Sequence, residues 1–411
     1  MAILQHLLAG VAFRQHTGTI MKCCMSFVVS VLLLATIAIA QSAHSCRQDA
    51  LTTATVDLRG YGWEPPARKQ VVSRFIAVDQ KGRVVISYAT RVRTKLVTRD
   101  RPSVDLRILR FSEDGKLDLS LSLPTHLEYW NGIYLSDSSQ IIAKANDSLQ
   151  LYQEDIGAWR VLAKCTSQCS VQQSVTRRTL AIRNEYHGPL LFIHPSPVPR
   201  LQQCDKAYKA AEGVIQDHSD AITDEFAYHS GSEGLEQLTY RWPFCDYEHR
   251  VELPLRPGGN WDVLNDRLFV FYPYDPHNDR QTVKVVSSDG RVIFQSVNGK
   301  HEYARGIWTP TRSSERGSRI AVDIVTLRGG NRALDISSHA TARRIAVYDI
   351  ELRKEVASIP VGWTSHEFGF DLSPDGGRLA IVEDGTLKVI DWDGKHTGGG
   401  MGSKLPAEGR K

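Results

Sequence analysis

Three segments share a set of side chains able to do chemistry. Glu128-Tyr129-Trp130-Asn131-Gly132-Ile133-Tyr134 parallels Glu302-Tyr303-Ala304-Arg305-Gly306-Ile307-Trp308, and His366-Glu367-Phe368-Gly369-Phe370 is a shortened relative. His301 precedes Glu302 as His366 precedes Glu367. Trp130, Asn131, His301, Glu302, Arg305, His366 and Glu367 are therefore the candidate ligand-binding residues. Aromatic faces, a guanidinium, an amide and paired His-Glu groups together suit a polar ligand in a concave site. The plainer alternative is that they recur because they pack and hydrogen-bond a repeating structure.

Other chemistries find less support. His301-Glu302 and His366-Glu367 open like H-E-x-x-H, but the fifth positions are Arg305 and Phe370, so the zinc-protease motif fails. A His/Glu metal site assembled from several segments stays open as an alternative, although no metal is expected. There is no G-x-S-x-G, since Ser230-Gly231-Ser232-Glu233-Gly234 has the wrong order. Neither G-x-G-x-x-G nor a P-loop is present, so no cofactor is expected. No catalytic residue can be named.

An address is easier to read. Met21-Lys22 precedes an apolar run at 23–40 that ends in Ala38-Ile39-Ala40, the layout of a secretory signal peptide cut before Gln41. Residues 1–20 lack the logic of an n-region, and Met21 suits a true start better. An uncleaved membrane anchor at 23–40 and lipidation at Cys46 are the rivals. The expectation is an exported protein, periplasmic or extracellular. Export would leave five of the 7 cysteines, with Cys165, Cys169, Cys204 and Cys245 as disulfide candidates. A Cys165–Cys169 loop and a Cys204–Cys245 bridge are one pairing, but spacing cannot fix connectivity. A zinc site from the same four is the alternative, although their spacing matches no zinc ribbon.

Composition limits the partners. The chain of 411 residues is 42% hydrophobic and 23% charged, which rules out a collagen, a coiled coil and a multispan membrane protein. The formal charge of +4 includes Arg14 and Lys22, the only charges in 1–40, so the mature chain carries about +2 and no field to attract nucleic acid.

What positions the candidate residues is a repeat. Apolar stretches 106–111 and 117–123 flank Asp114-Gly115, and 283–287 and 292–297 flank Asp289-Gly290; both read as β-hairpins. Further hairpins are expected at 149–153 with 159–163, and at 345–350 with 355–360. Weaker ones are expected after 190–194 and 238–242. Turn centres near 114, 156, 196, 246, 289 and 352 recur every ~40–50 residues with four short strands per unit, the sign of a β-propeller. Earlier strand pairs are expected at 73–79 with 84–89, 132–135 with 141–145, 261–264 with 268–272, and 306–309 with 319–325. Two longer spacings mark insertions: a short helix within 205–220 and a polar loop at 328–343; Arg328-Gly329-Gly330-Asn331-Arg332 and Arg343-Arg344 read as exposed, solvated basic stretches. The last unit, 368–392, lacks a fourth strand, which residues 54–59 would supply. The expectation is an all-β propeller over 41–394, most simply seven four-stranded blades closed by that N-terminal strand. Residues 395–411 would be a flexible tail.

Phe370-Asp371-Leu372-Ser373-Pro374-Asp375-Gly376-Gly377-Arg378-Leu379-Ala380 resembles the strand–turn–strand motif of WD-repeat-like, TolB-like and YVTN-like bacterial propellers. Leu387-Lys388-Val389-Ile390-Asp391-Trp392 resembles the strand that follows it, and Tyr348-Asp349 echoes Asp391-Trp392. The resemblance implies architecture over roughly 55–394 and carries over no catalytic residue. Function is thus expected to be that of an exported binding or scaffold module, a monomer whose protein or carbohydrate ligand sits at the channel mouth. The alternative is a lyase, glycosidase or cofactor-dependent oxidoreductase using the His and Glu residues of the same funnel.

Overall fold

The computed structural model describes residues 51–63, 75–91, 103–126, 132–145, 147–165, 169–183, 190–195, 199–204, 221–233, 236–246, 249–255, 261–275, 277, 280–304, 312–328, 340–362 and 369–392. The chain divides into units 1–48 and 49–411, and every described element belongs to the second.

Successive residues of a strand point to opposite faces. In Phe75–Val78, Ile76 and Val78 pack into one apolar cluster while Ala77 joins another. In Arg319–Leu327, Ile320 and Val322 face one way and Ala321 the other. A strand with apolar residues at neighbouring positions therefore serves two cores, one on each face of its sheet. Stacking such sheets radially buries both faces, at roughly 2 kcal/mol for each large apolar side chain removed from water.

Seven antiparallel sheets result, each a blade. Blade 1 runs Phe75–Val78, Val84–Arg91, Ser103–Phe111 and Leu117–His126. Blade 2 runs Gly132–Leu135, Ile141–Ala145, Ser148–Gln153 and Ala158–Lys164. Blade 3 consists of Ser170–Gln173, Leu180–Arg183, Leu190–His194 and Arg200–Cys204. In blade 4 the innermost strand shrinks to Ala221–Ile222, followed by Phe226–Glu233, Glu236–Pro243 and Val251–Leu253. Blade 5 has Trp261–Asn265, Leu268–Phe271, Arg280–Ser287 and Val292–Val297, with Tyr274–Asp275 added beside the third. Blade 6 has Arg319–Leu327, Ala340–Asp349 and Lys354–Val361, with Glu302–Ala304 and Arg312–Ser313 both paired to the first of these.

Blade 7 closes the ring. Gly369–Leu372, Arg378–Glu383 and Thr386–Asp391 are followed outward by the N-terminal Leu51–Asp57, antiparallel to Thr386–Asp391 with Leu51 opposite Asp391. The chain then turns through a 3-10 helix, Leu58–Tyr61. Tyr88 donates its hydroxyl to Tyr61 O at 2.6 Å, pinning that turn to blade 1. The protein is an all-β, seven-bladed propeller with an N-terminal closing strand, as the repeat predicts.

Three local expectations need correction. Blades 5 and 6 have five strands each rather than four, because Tyr274–Asp275 and the divided pair in blade 6 add short pieces. Residues 340–343 belong to a strand, not to a polar loop. Arg343 is buried there in a bidentate pair with Asp323 at 2.8 and 2.7 Å, and Arg344 lies between Glu302 and Glu355. The first strand expected at 306–309, the helix expected within 205–220, residues 1–50 and the tail at 393–411 all lie outside the described residues. Among the described residues no helix is long and apolar enough to cross a membrane.

Candidate functional site

Each blade's first turn shapes one end of the central channel. In blades 1, 2, 3, 6 and 7 this turn starts at Asp79, Ser136, Ser174, Ser314 and Ser373, whose side-chain oxygens accept a backbone N–H from the residue that ends it. That bond mimics a backbone turn and suits Asp and Ser. The turn then needs one residue in the left-handed region: Gly82, Ser139, Arg177, Gly317 and Gly376, with φ of 73, 66, 64, 67 and 75°. Glycine adopts this region without strain; Ser139 and Arg177 do not.

Arg177 puts its side chain across the channel. From blade 3 its guanidinium donates to Val78 O in blade 1 and, at 2.9 Å, to Asp371 Oδ2 in blade 7. Asp371 also accepts Val78 N at 2.8 Å, and Arg312 of blade 6 lies 3.7 Å from its other oxygen. One buried carboxylate thus links four blades. Asp224 does similar work between neighbours, accepting Ser174 Oγ at 2.8 Å and Thr176 Oγ1 at 2.6 Å across the blade 3–4 junction. Gln173 Nε2 reaches Leu135 O at 2.7 Å between blades 3 and 2.

Of the sequence-derived candidates, His301 and Glu302 are described; Trp130, Asn131, Arg305, His366 and Glu367 lie outside the described residues. His301 has a φ of 64° and its carbonyl accepts Leu327 N at 2.9 Å. Glu302 begins the short strand Glu302–Ala304 rather than preceding one. Its carboxylate accepts Gly299 N at 2.7 Å and pairs with Arg344 at 3.3 Å, while Arg344 also holds Glu355 at 2.8 Å. Burial lowers the Arg344 pKa, but Glu355 and Glu302 outweigh it and leave the guanidinium above its ordinary value.

Cys165 and Cys169 are joined by a disulfide, with an S–S distance of 2.00 Å. Both are buried in the core between blades 2 and 3. Cys245 is disulfide-bonded as well, and the side chain of Cys204 lies outside the described residues. Among the described residues no three His, Cys, Asp or Glu side chains gather in a way that would hold a metal.

No family model matches the sequence, and no curated protein does. Among solved structures, a chain of the crystal structure of the mitotic checkpoint complex is similar at 10% identity, over 82% of this chain and 93% of that one, with a TM-score of 0.46. The structure of U3-55K is similar at 10% identity, over 79% and 97%, with a TM-score of 0.43. At such identity the likeness concerns the fold and says nothing of partners.

Sequence reasoning missed Arg177, Arg312 and Asp371 as a group. Asp371 stands inside the quoted Phe370–Ala380 motif, but Arg177 is 194 residues away in a turn that has lost the motif's wording. One signal was legible in principle: an arginine at the turn position where blades 1, 6 and 7 have glycine.

Proposed function

We propose that the chain is an exported binding or scaffold module that holds a protein or carbohydrate ligand at the channel mouth where the inner strands begin. Trp130, Asn131, His301, Glu302, Arg305, His366 and Glu367 would supply the contacts. The observation that carries this is the state of the acids at the other end of the channel. Asp79, Asp224 and Asp371 are each held by cations, hydroxyls or backbone N–H groups that tie turns and blades together. Acids so paired stiffen the ring, and a stiff ring is a platform for docking rather than a site poised for proton transfer. The Cys165–Cys169 disulfide supports an oxidising compartment, as does the apolar segment at 23–40.

Screening the purified mature chain against immobilised glycans and envelope extracts tests this. Saturable capture that falls at least tenfold in Trp130→Ala and Arg305→Ala is expected. Turnover of any retained compound that Glu302→Gln and Glu367→Gln abolish would make the protein an enzyme and overturn the proposal.

A further inference from the structure

In blade 4 a long central hairpin is flanked by short strands. Phe226–Glu233 and Glu236–Pro243 pair along their whole length, from Phe226 opposite Pro243 to Glu233 opposite Glu236. On the inner side Ala221 and Ile222 cover only Tyr228 and Ala227. On the outer side Val251–Leu253 covers only Thr239 to Arg241. A hairpin with so little ladder on either side is marginal by itself and needs packing or a further tie to stay ordered.

Cys245, in the turn that follows Glu236–Pro243, is disulfide-bonded. Cys165 and Cys169 are joined to each other, which leaves Cys23, Cys24, Cys46 and Cys204 as its partners within the chain. Cys46 stands five residues before Leu51 in the outer strand of blade 7, and such a length reaches no farther than ~18 Å. Blade 4 lies across the ring, and strands spaced ~4.8 Å apart put the outer halves of opposite blades more than ~25 Å from each other. Cys23 and Cys24 leave with the apolar segment under the export proposed above, a step on which the assignment rests. Cys204 is in the neighbouring blade and on the face that meets blade 4. It stands opposite Leu190, two places along from the Phe192–Gln202 pair, so it shares the face of that pair. The Phe192 and Phe244 rings stack with centroids 3.8 Å apart, and Cys245 packs in the same cluster.

We infer that Cys204 and Cys245 form a second disulfide, which closes the three inner strands of blade 4 into a covalent loop and opens before Cys165–Cys169 when a thiol reductant acts. Access sets the order. Cys165 and Cys169 are 0% and 1% exposed, out of a reductant's reach, whereas Cys245 is partly exposed. In the opening step one thiolate of a dithiol reductant attacks a sulfur of the bridge, and its second thiol resolves the mixed disulfide. The reductant leaves oxidised to its own disulfide, with Cys204 and Cys245 as free thiols. Blade 4 is then held by its short flanking strands and its packing, and becomes the part of the ring that responds to the redox poise around it.

Peptide mapping tests the pairing, on chain expressed from the whole sequence and alkylated with N-ethylmaleimide before any reduction. Trypsin should release residues 201–206 joined to residues 242–250. Alkylated Cys204 or Cys245, or Cys245 joined to any other cysteine, overturns the bridge. The intact mass of the same sample reads leader removal separately, so a retained leader beside that linked pair supports the bridge and counts against export. A time course in dithiothreitol without denaturant tests the order of opening. The Cys245 bridge should open at least tenfold faster than Cys165–Cys169, and the melting temperature should then fall by about 5 °C. Cys204→Ala combined with Cys245→Ala should reproduce that fall. Equal or slower opening overturns the order, and an unchanged melting temperature overturns the tie on blade 4.

Discussion

Arg378 and Asp391 show how much of the ring rests on a few charges. The two form parallel hydrogen bonds of 2.7 Å each, with side chains only 1% and 4% exposed. Burial alone would lower the Arg378 pKa, but Asp391 outweighs it and holds the group above its ordinary value. In blade 6 the same two positions are filled by Arg319 and Asp349, 3.2 Å apart. The echo between Tyr348-Asp349 and Asp391-Trp392 is therefore the visible half of a repeated ion pair, whose other half is the arginine ending the turn. Removing one member strands the other in the core. Arg378→Ala should cost ~3–5 kcal/mol in chemical denaturation, and replacing both residues by apolar ones of similar volume should recover most of that. Equal losses for the single and double variants would contradict this account.

At the scale of the element, turns with strong local chemistry were the ones the sequence displayed. Ser112 to Lys116 and Ser287 to Arg291 close around Gly115 and Gly290, both at positive φ, where Asp-Gly marks the hairpin. The short strands of blades 4 and 6 were hidden, because two residues give no alternation to read and their pairing is decided by the long strand beside them. Arg343-Arg344 looked solvated because its partners, Asp323 and Glu302, are supplied by other strands. Of the candidate site, the sequence exposed a recurring side-chain pattern but not the Arg177 bridge, whose partners come together only when the ring closes. The first turns give a direct test of their left-handed residue. Gly82→Ala would place a Cβ 2.8 Å from Arg378 Nη1 in a strained backbone, and should cost about 2 kcal/mol or more. Ser139→Gly should change stability by less than ~1 kcal/mol, since relief of strain is offset by a more flexible unfolded chain. Urea denaturation of the two variants checks both.

For the whole molecule, the seam of the ring is blade 7. Leu51–Asp57 covers the edge of Thr386–Asp391, and Val56 and Leu58 complete the core shared by blades 7 and 1. An exposed edge would otherwise invite pairing with other chains. Deleting 51–57 should lower the melting temperature of the entire ring and raise its aggregation; an unchanged melting temperature would show that the seam is dispensable.

The same seam also sets a timetable. Leu51 is among the first residues of the ring to be synthesised, and its partner Asp391 among the last. At roughly 5–20 residues per second, the closing strand waits on the order of 20–70 s for the strand it must pair with. Six blades can be assembled before then, but the seventh cannot. Until it forms, a half-satisfied sheet at one end of the chain and an unpaired strand at the other must be kept apart from every other copy in the cell.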